Sequence, residues 1–351
     1  VRRLVVKLGS RVLKSDANLI ASLAAQIAAV RRSAPREVLI VSSGAIALGC
    51  ELLGYATRPT QIPRLQAAAA AGQGALMRRY SEAFAPHGLT PAQVLLTHSD
   101  LASRRRLTNA QNALEALFEA GAVPIVNEND TVSTDEIAFG DNDQLASMVA
   151  PLVHADLLLL LTDVAGVLDE TGATIAEVTK ATTLHLTAQA PGSVGSGGMG
   201  SKVSAAHKAA LAGAHVIIAS AREPDLLPRV IAGEAVGTHF SPAPSALRAR
   251  KHWIAYTLKP RGDILVNEGA VRALRERNAS LLPVGVIGVS GQFSRGDAVR
   301  LVGPAGEVAR GLTRLGLPEV ARAAGKNSAE LETSVGELDT VVVHRDDLVL
   351  T

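Results

Sequence analysis

The sequence predicts an α/β protein: a parallel-sheet αβα sandwich followed by a small, mainly β domain. Three observations carry this expectation. Short aliphatic runs alternate with helical patterns through the first 250 residues or so. Those runs are almost continuous in Val, Leu and Ile, as strands buried on both faces tend to be. Beyond residue 260 the strands shorten and glycines such as Gly285, Gly288, Gly291, Gly296 and Gly303 punctuate the chain.

The elements follow in order. Leu4–Leu8 reads as a strand that closes on Gly9-Ser10. Leu19, Ile20, Leu23, Ile27 and Val30 then share one helical face. Glu37–Val41 is the second strand and ends at Ser42-Ser43-Gly44. The Ala-rich stretch from Leu65 to Phe84 is helical. Gln93–Leu96 and Val123–Val126 are strands around a helix from Asn109 to Ala120, and the second of them ends at Asn127-Glu128-Asn129-Asp130. Asp143–Val153 is helical, Asp156–Leu161 is a buried strand closing on Thr162-Asp163, Lys202–Ala212 is helical, and Val216–Ala219 is a strand. Ser241-Pro242-Ala243-Pro244-Ser245 marks a change of texture. The expected division is a first domain over 1–250, a linker over 251–261 and a β domain over 262–351.

Composition narrows the function classes. Of 351 residues, 47% are hydrophobic and only 3% aromatic, so the core is aliphatic and a broad base-stacking platform is excluded. The formal net charge of +2 excludes a polyanion-binding tail. Residues 260–351 carry 11 Lys and Arg against 12 Asp and Glu, which argues against RNA as a partner of the tail. The single cysteine, Cys50, excludes an internal disulfide or a Cys-rich zinc site and suits a reducing compartment. The longest strongly apolar run, Leu157–Leu161, is far short of the ~20 residues of a membrane span. A cytoplasmic protein with no membrane partner is expected.

Parallel sheets bind ligands at the carboxyl ends of their strands. Four polar clusters fall there: Lys7 to Ser10, Ser42 to Gly44, Asn127 to Asp130, and Thr162-Asp163. An ammonium at Lys7 beside Gly9 suits phosphate oxygens; the alternative is a lysine that blunts a sheet edge. Ser196-Gly197-Gly198-Met199-Gly200-Ser201-Lys202 is a Gly-rich loop feeding a helix, a natural phosphate cradle, with a flexible linker as its alternative. Asn127 to Asp130 and Gly140 to Asp143 are dense in carboxamides and carboxylates. They suit an amino group, a carboxylate or magnesium, or simply turns and caps. No Walker A pattern, nucleophile elbow or zinc spacing is present.

VVKLGS (5–10), VSSGAIALG (41–49), NEND (127–130), GDND (140–143), LLLLTD (158–163) and SGGMGSK (196–202), in this order, resemble the amino acid kinase superfamily, and within it the glutamate 5-kinase family. The tail resembles a PUA domain, through Gly262-Asp263-Ile264, Asn267 to Ala270, Gly291 to Asp297 and Val343 to Asp347. The resemblance implies transfer of the γ-phosphoryl of ATP, with Mg2+, to the side-chain carboxylate of L-glutamate. It implies Lys7, Lys202 and Asp143 as catalytic residues, and Ser43, Asp130 and Asn142 as glutamate ligands. Lys7, Thr162, Asp163 and the loop Ser196, Gly197, Gly198, Met199, Gly200, Ser201 and Lys202 would hold ATP. No metal ligands are assigned. A homo-oligomer and feedback inhibition by proline are also implied. A superfamily kinase with another acceptor, or RNA binding through the tail, are the competing readings. Two departures stand out: the segment after Asp163 makes a short turn over Val167–Gly172 and lacks the usual Asp-Pro-Arg element, and Arg11 stands where a small hydroxylated residue is common.

Overall fold

The computed structural model describes residues 1–16, 18–133, 142–178, 198–243, 249–327 and 341–351. The chain divides into two compact units, Val1–Ala246 and Leu247–Thr351.

The first unit is built on eight strands: β1 (Arg3–Leu8), β2 (Glu37–Ser42), β3 (Pro91–Leu96), β4 (Val123–Glu128), β5 (Leu157–Thr162), β6 (Glu177–Val178), β7 (His215–Ser220) and β8 (Thr238–Phe240). Their order is β3-β4-β2-β1-β5-β7-β8-β6. The pairings are parallel except β7 with β8. The sheet is thus parallel-dominated, as expected, with one antiparallel pairing. The helix between them, Leu226–Ile231, rises only about 9 Å, too little to return the chain to the starting edge of a strand ~20 Å long.

The helices before it are α1 (Ser10–Ser15), α2 (Leu19–Ser33), α3 (Ala45–Leu52), α4 (Ile62–Phe84), α5 (His98–Ala102), α6 (Arg104–Glu119), α7 (Asn142–Leu152) and α8 (Met199–Leu211); Leu226–Ile231 is α9. Side chains alternate across a strand, and β1 shows what that does here. Leu4, Val6 and Leu8 join a core with α2, α4 and α9 on one face of the sheet. Val5 joins the opposite core, with α6, α7 and α8. Lys7 has the parity of Val5. Its side chain is therefore directed to the layer that holds α7 and α8.

Two glycines set how closely α3 meets α4. A Cβ on Gly72 would lie 1.8 Å from the Ala45 carbonyl oxygen, and one on Gly49 would lie 1.7 Å from that of Ala68. Both clashes are with backbone, so no side-chain rotation relieves them. Gly72→Ala should lower stability by about 3 kcal/mol, the upper range for an overpacked core, read as a reduced denaturation midpoint. An unchanged midpoint would contradict the close contact.

The second unit holds a five-stranded sheet of β9 (Gly262–Val266), β10 (Val286–Gly291), β11 (Ala298–Gly303), β12 (Gly306–Thr313) and β13 (Val343–Leu350), in the order β10-β9-β11-β12-β13. Only β9 with β11 is parallel. The helices α10 (Ala249–His252), α11 (Glu268–Arg277) and α12 (Leu317–Ala323) accompany it. Asn267 caps α11 by accepting from Ala270 N at 2.8 Å. Part of the segment expected as a linker is folded: Trp253–Thr257 forms a π-helical turn whose Ile254 and Ala255 pack on Val349. Among the described residues, no helix is long and apolar enough to cross a membrane.

Candidate functional site

β1 lies between β2 and β5, the strands reached in opposite directions across the sheet. In register, Leu8 faces Ser42 and Lys7 faces both Val41 and Leu160. The carboxyl ends of β1, β2, β4 and β5 therefore open on one edge, where doubly wound sheets hold their ligands.

Lys7 at the end of β1, Asp143 in the first turn of α7 and Lys202 in the first turn of α8 meet there. Lys7 Nζ lies 2.6 Å from Asp143 Oδ1, and Lys202 Nζ donates to Asp143 Oδ2 at 3.0 Å. All three are buried, at 4%, 0% and 6% exposure. Burial pushes the Asp143 carboxyl up, but the two ammonium groups outweigh it and hold the carboxyl below its ordinary range. Two ammonium groups are thereby held together at the border of a cavity, an arrangement that suits the oxygens of an anion.

One cavity adjoins the cluster, and a second adjoins the first. The first, of 290 Å3, is bordered by Lys7, Gly9, Thr162, Asp163, Gly198, Met199 and Lys202. The other, of 370 Å3, is bordered by Tyr55, Arg58, Asn127, Glu128, Asp130 and Asn142 among others. Ser10, Arg11 and Ser43 border both. The second cavity is polar on one wall. Asn142 Nδ2 donates to Ser42 O at 3.0 Å, Ser43 Oγ at 2.7 Å and Asn127 Oδ1 at 3.0 Å. Burial raises the Asp130 carboxyl to about 6, against the pull of Arg58. The Ser43 wall depends on Gly44, whose φ of 109° turns the chain from β2 into α3 in a region that favours glycine.

The sequence-predicted residues thus fall into two groups. Lys7, Asp143 and Lys202 meet at the cluster. Ser43, Asp130 and Asn142 border the polar cavity, while Thr162, Asp163, Gly198 and Met199 border the other. Gly200 and Ser201 lie in the first turn of α8 without bordering either cavity; Ser196 and Gly197 lie outside the described residues. Arg11 borders both cavities. Sequence reasoning missed Arg58, which sits in the connection between α3 and α4 with no distinguishing pattern. It also missed Gln73, which carried a signal: a polar residue on the buried stripe of α4 formed by Leu65, Ala69, Gly72, Leu76 and Tyr80. Cys50 is buried and borders the polar cavity. No group of three or more His, Cys, Asp or Glu able to hold a metal occurs among the described residues.

A model of the amino acid kinase family matches residues 2–220, and one of the PUA domain matches residues 262–335. The chain is 46% identical to the glutamate 5-kinase of Trichlorobacter lovleyi, over 100% of this chain and 97% of that protein. It is 47% identical to that of Methylobacillus flagellatus, over 99% and 97% of the two chains. Against that of Paraburkholderia phymatum the figures are 46% identity over 99% and 98%.

Proposed function

Because the chain belongs to the amino acid kinase family and, within it, to the glutamate 5-kinases, we infer that it moves the γ-phosphoryl of ATP onto the side-chain carboxylate of L-glutamate, the first step of proline biosynthesis. The observation that carries the catalytic part of this reading is the buried meeting of Lys7, Asp143 and Lys202 beside the first of two adjoining cavities.

The chemistry needs little acid–base help. A glutamate side chain, with a pKa of about 4.3, is already an anion at neutral pH. One of its oxygens forms a bond to the γ-phosphorus while the bond to the β,γ-bridging oxygen breaks and ADP leaves. No proton has to move. The obstacle is the approach of a carboxylate to a polyanion, and positive charge set in place beforehand lowers it. In this reading Lys7 and Lys202 contact the transferring phosphoryl, and Asp143 holds both ammonium groups in place. Thr162, Asp163 and the segment ending at Lys202 hold ATP. Ser43, Asp130 and Asn142 hold glutamate, with Asp130 and Asn142 offering oxygens to its α-ammonium. Arg11 adds positive charge on the wall common to both cavities. Magnesium, when bound, would supply further charge neutralisation beside the nucleotide phosphates.

The same reading assigns residues 1–250 to the kinase domain and 262–351 to the PUA-like domain, and it places the ATP-consuming enzyme in the cytoplasm. Proline shares the α-ammonium and α-carboxylate of glutamate, so the polar cavity suits it as a feedback inhibitor. Homo-oligomer formation belongs to this reading as well, and sedimentation tests it.

The direct test is ATP- and glutamate-dependent release of ADP with the acyl phosphate trapped by hydroxylamine. A glutamyl hydroxamate is expected, and its absence at saturating substrates would overturn the reading. The Asp130 carboxyl gives a second expected result. Its pKa of about 6 lies above the ordinary carboxylate value, so it is ionised above that pH and neutral below it. A neutral Asp130 no longer attracts an ammonium. kcat/KM for glutamate should be flat above pH 6 and fall about tenfold per unit below it, while Asp130→Asn should be low at every pH and lack that inflection. An inflection that survives in the variant would assign the titration elsewhere.

A further inference from the structure

The wall of the polar cavity continues into the protein as a chain of carboxamides. Asn142 Nδ2 donates to Asn127 Oδ1 at 3.0 Å, and Asn127 Nδ2 donates to Gln73 Oε1 at 3.0 Å. Backbone groups fix the polarity of this chain. Ser42 O can only accept, so Asn142 must offer it Nδ2. Glu128 N can only donate, and it donates to Asn127 Oδ1 at 2.9 Å, so Asn127 must turn its Nδ2 away toward Gln73. Gln73 is left to supply an acceptor.

Two atoms are left over. Gln73 Nε2 is buried and has no hydrogen-bond partner among the described residues. Asn142 Oδ1 accepts from no described residue, and Asn142 borders the cavity. A buried amide donor without a partner is costly, and an apolar side chain at position 73 would avoid that cost. What such a side chain lacks is the oxygen that Asn127 needs.

We propose that Gln73 is a positioning residue for substrate recognition: by accepting from Asn127 Nδ2 it completes a chain whose polarity the backbone sets, and so holds Asn127 against Asn142, whose Oδ1 is left as an acceptor for the substrate's ammonium group. Gln73 acts through Asn127 and Asn142 and does not touch the reacting atoms. The inference rests on the reading of Asn142 as a glutamate ligand.

Steady-state kinetics of the full chain test it. Gln73→Met keeps the length of the side chain and removes the acceptor. KM for glutamate should rise about tenfold, with kcat within about threefold and KM for ATP within about twofold of the parent. Gln73→Glu keeps an oxygen for Asn127 and replaces the partnerless amide with a second carboxyl oxygen, so its KM for glutamate should stay within about threefold of the parent. Combining Gln73→Met with Asn142→Ala should raise KM no further than Asn142→Ala alone, because the two act as one unit. An unchanged KM in Gln73→Met, a tenfold rise in Gln73→Glu, or independent effects in the double variant would each overturn the proposal. If Asn142→Ala itself left KM for glutamate unaltered, the ligand assignment of Asn142 would fall first, and that outcome is separable from a failure at Gln73. Gln73→Glu decides the matter should Gln73→Met fail to fold.

Discussion

Lys202→Ala should lower kcat by about 10²- to 10³-fold, the range for removing one group that stabilises charge developing in a transition state. Lys202 lies in the first turn of α8, buried and joined through Asp143 to Lys7, and it borders the same cavity as Lys7, Thr162 and Asp163. The γ-phosphoryl is the anion the reaction brings, and two ammonium groups set in place beforehand stabilise the charge that develops on it. KM for glutamate should change much less than kcat, since the acceptor cavity is bordered by other residues. A variant with near-parental kcat would remove Lys202 from the reacting centre.

Asp143→Asn should reduce kcat by a comparable or larger factor and also weaken the fold. The substitution keeps the shape and removes the charge between two ammonium groups that both lie within 3.0 Å of its carboxylate. Breaking a buried ion pair from one side typically costs about 3–5 kcal/mol. Ligand binding separates this account from a simple packing defect. With Asp143 gone, the two ammonium groups lose the carboxylate held between them, and a bound triphosphate restores a counter-charge. An ATP analogue should therefore raise the melting temperature more in the variant than in the parent. Parental activity, or no larger thermal shift in the variant, would contradict the role given to Asp143.

Much of this arrangement is legible in the chain itself. The aliphatic runs ending in Lys7, Ser42, Asn127 and Thr162 show that polar groups gather at strand ends, because a parallel sheet buries everything else. The strict alternation of β1 also separates Lys7 from Leu4, Val6 and Leu8. What alternation does not reveal is which helices cover which face, and so the meeting of Lys7 with Asp143 and Lys202 depends on long-range packing. The family resemblance, rather than spacing, singled out Asp143. The antiparallel β8 was hidden for a related reason: a short helix and a three-residue strand leave little periodic signal. The contact of Gly49 and Gly72 between α3 and α4 was invisible because a glycine in an Ala-rich helix has no pattern of its own until a neighbouring backbone is known. Gln73 was visible as a polar residue out of place on an apolar stripe, but its meaning needs Asn127 and Asn142 beside it.

The central claim is that two ammonium groups, distant in the chain and joined by Asp143, act together on one phosphoryl group. A crystal structure with ADP, glutamate and a planar phosphoryl mimic such as aluminium fluoride tests it most directly. Both Lys7 Nζ and Lys202 Nζ should lie within hydrogen-bond reach of the mimic, at roughly 3 Å, with a glutamate side-chain oxygen in line on the side facing Asn142. A mimic bound away from either ammonium, or reached by only one of them, would contradict the account.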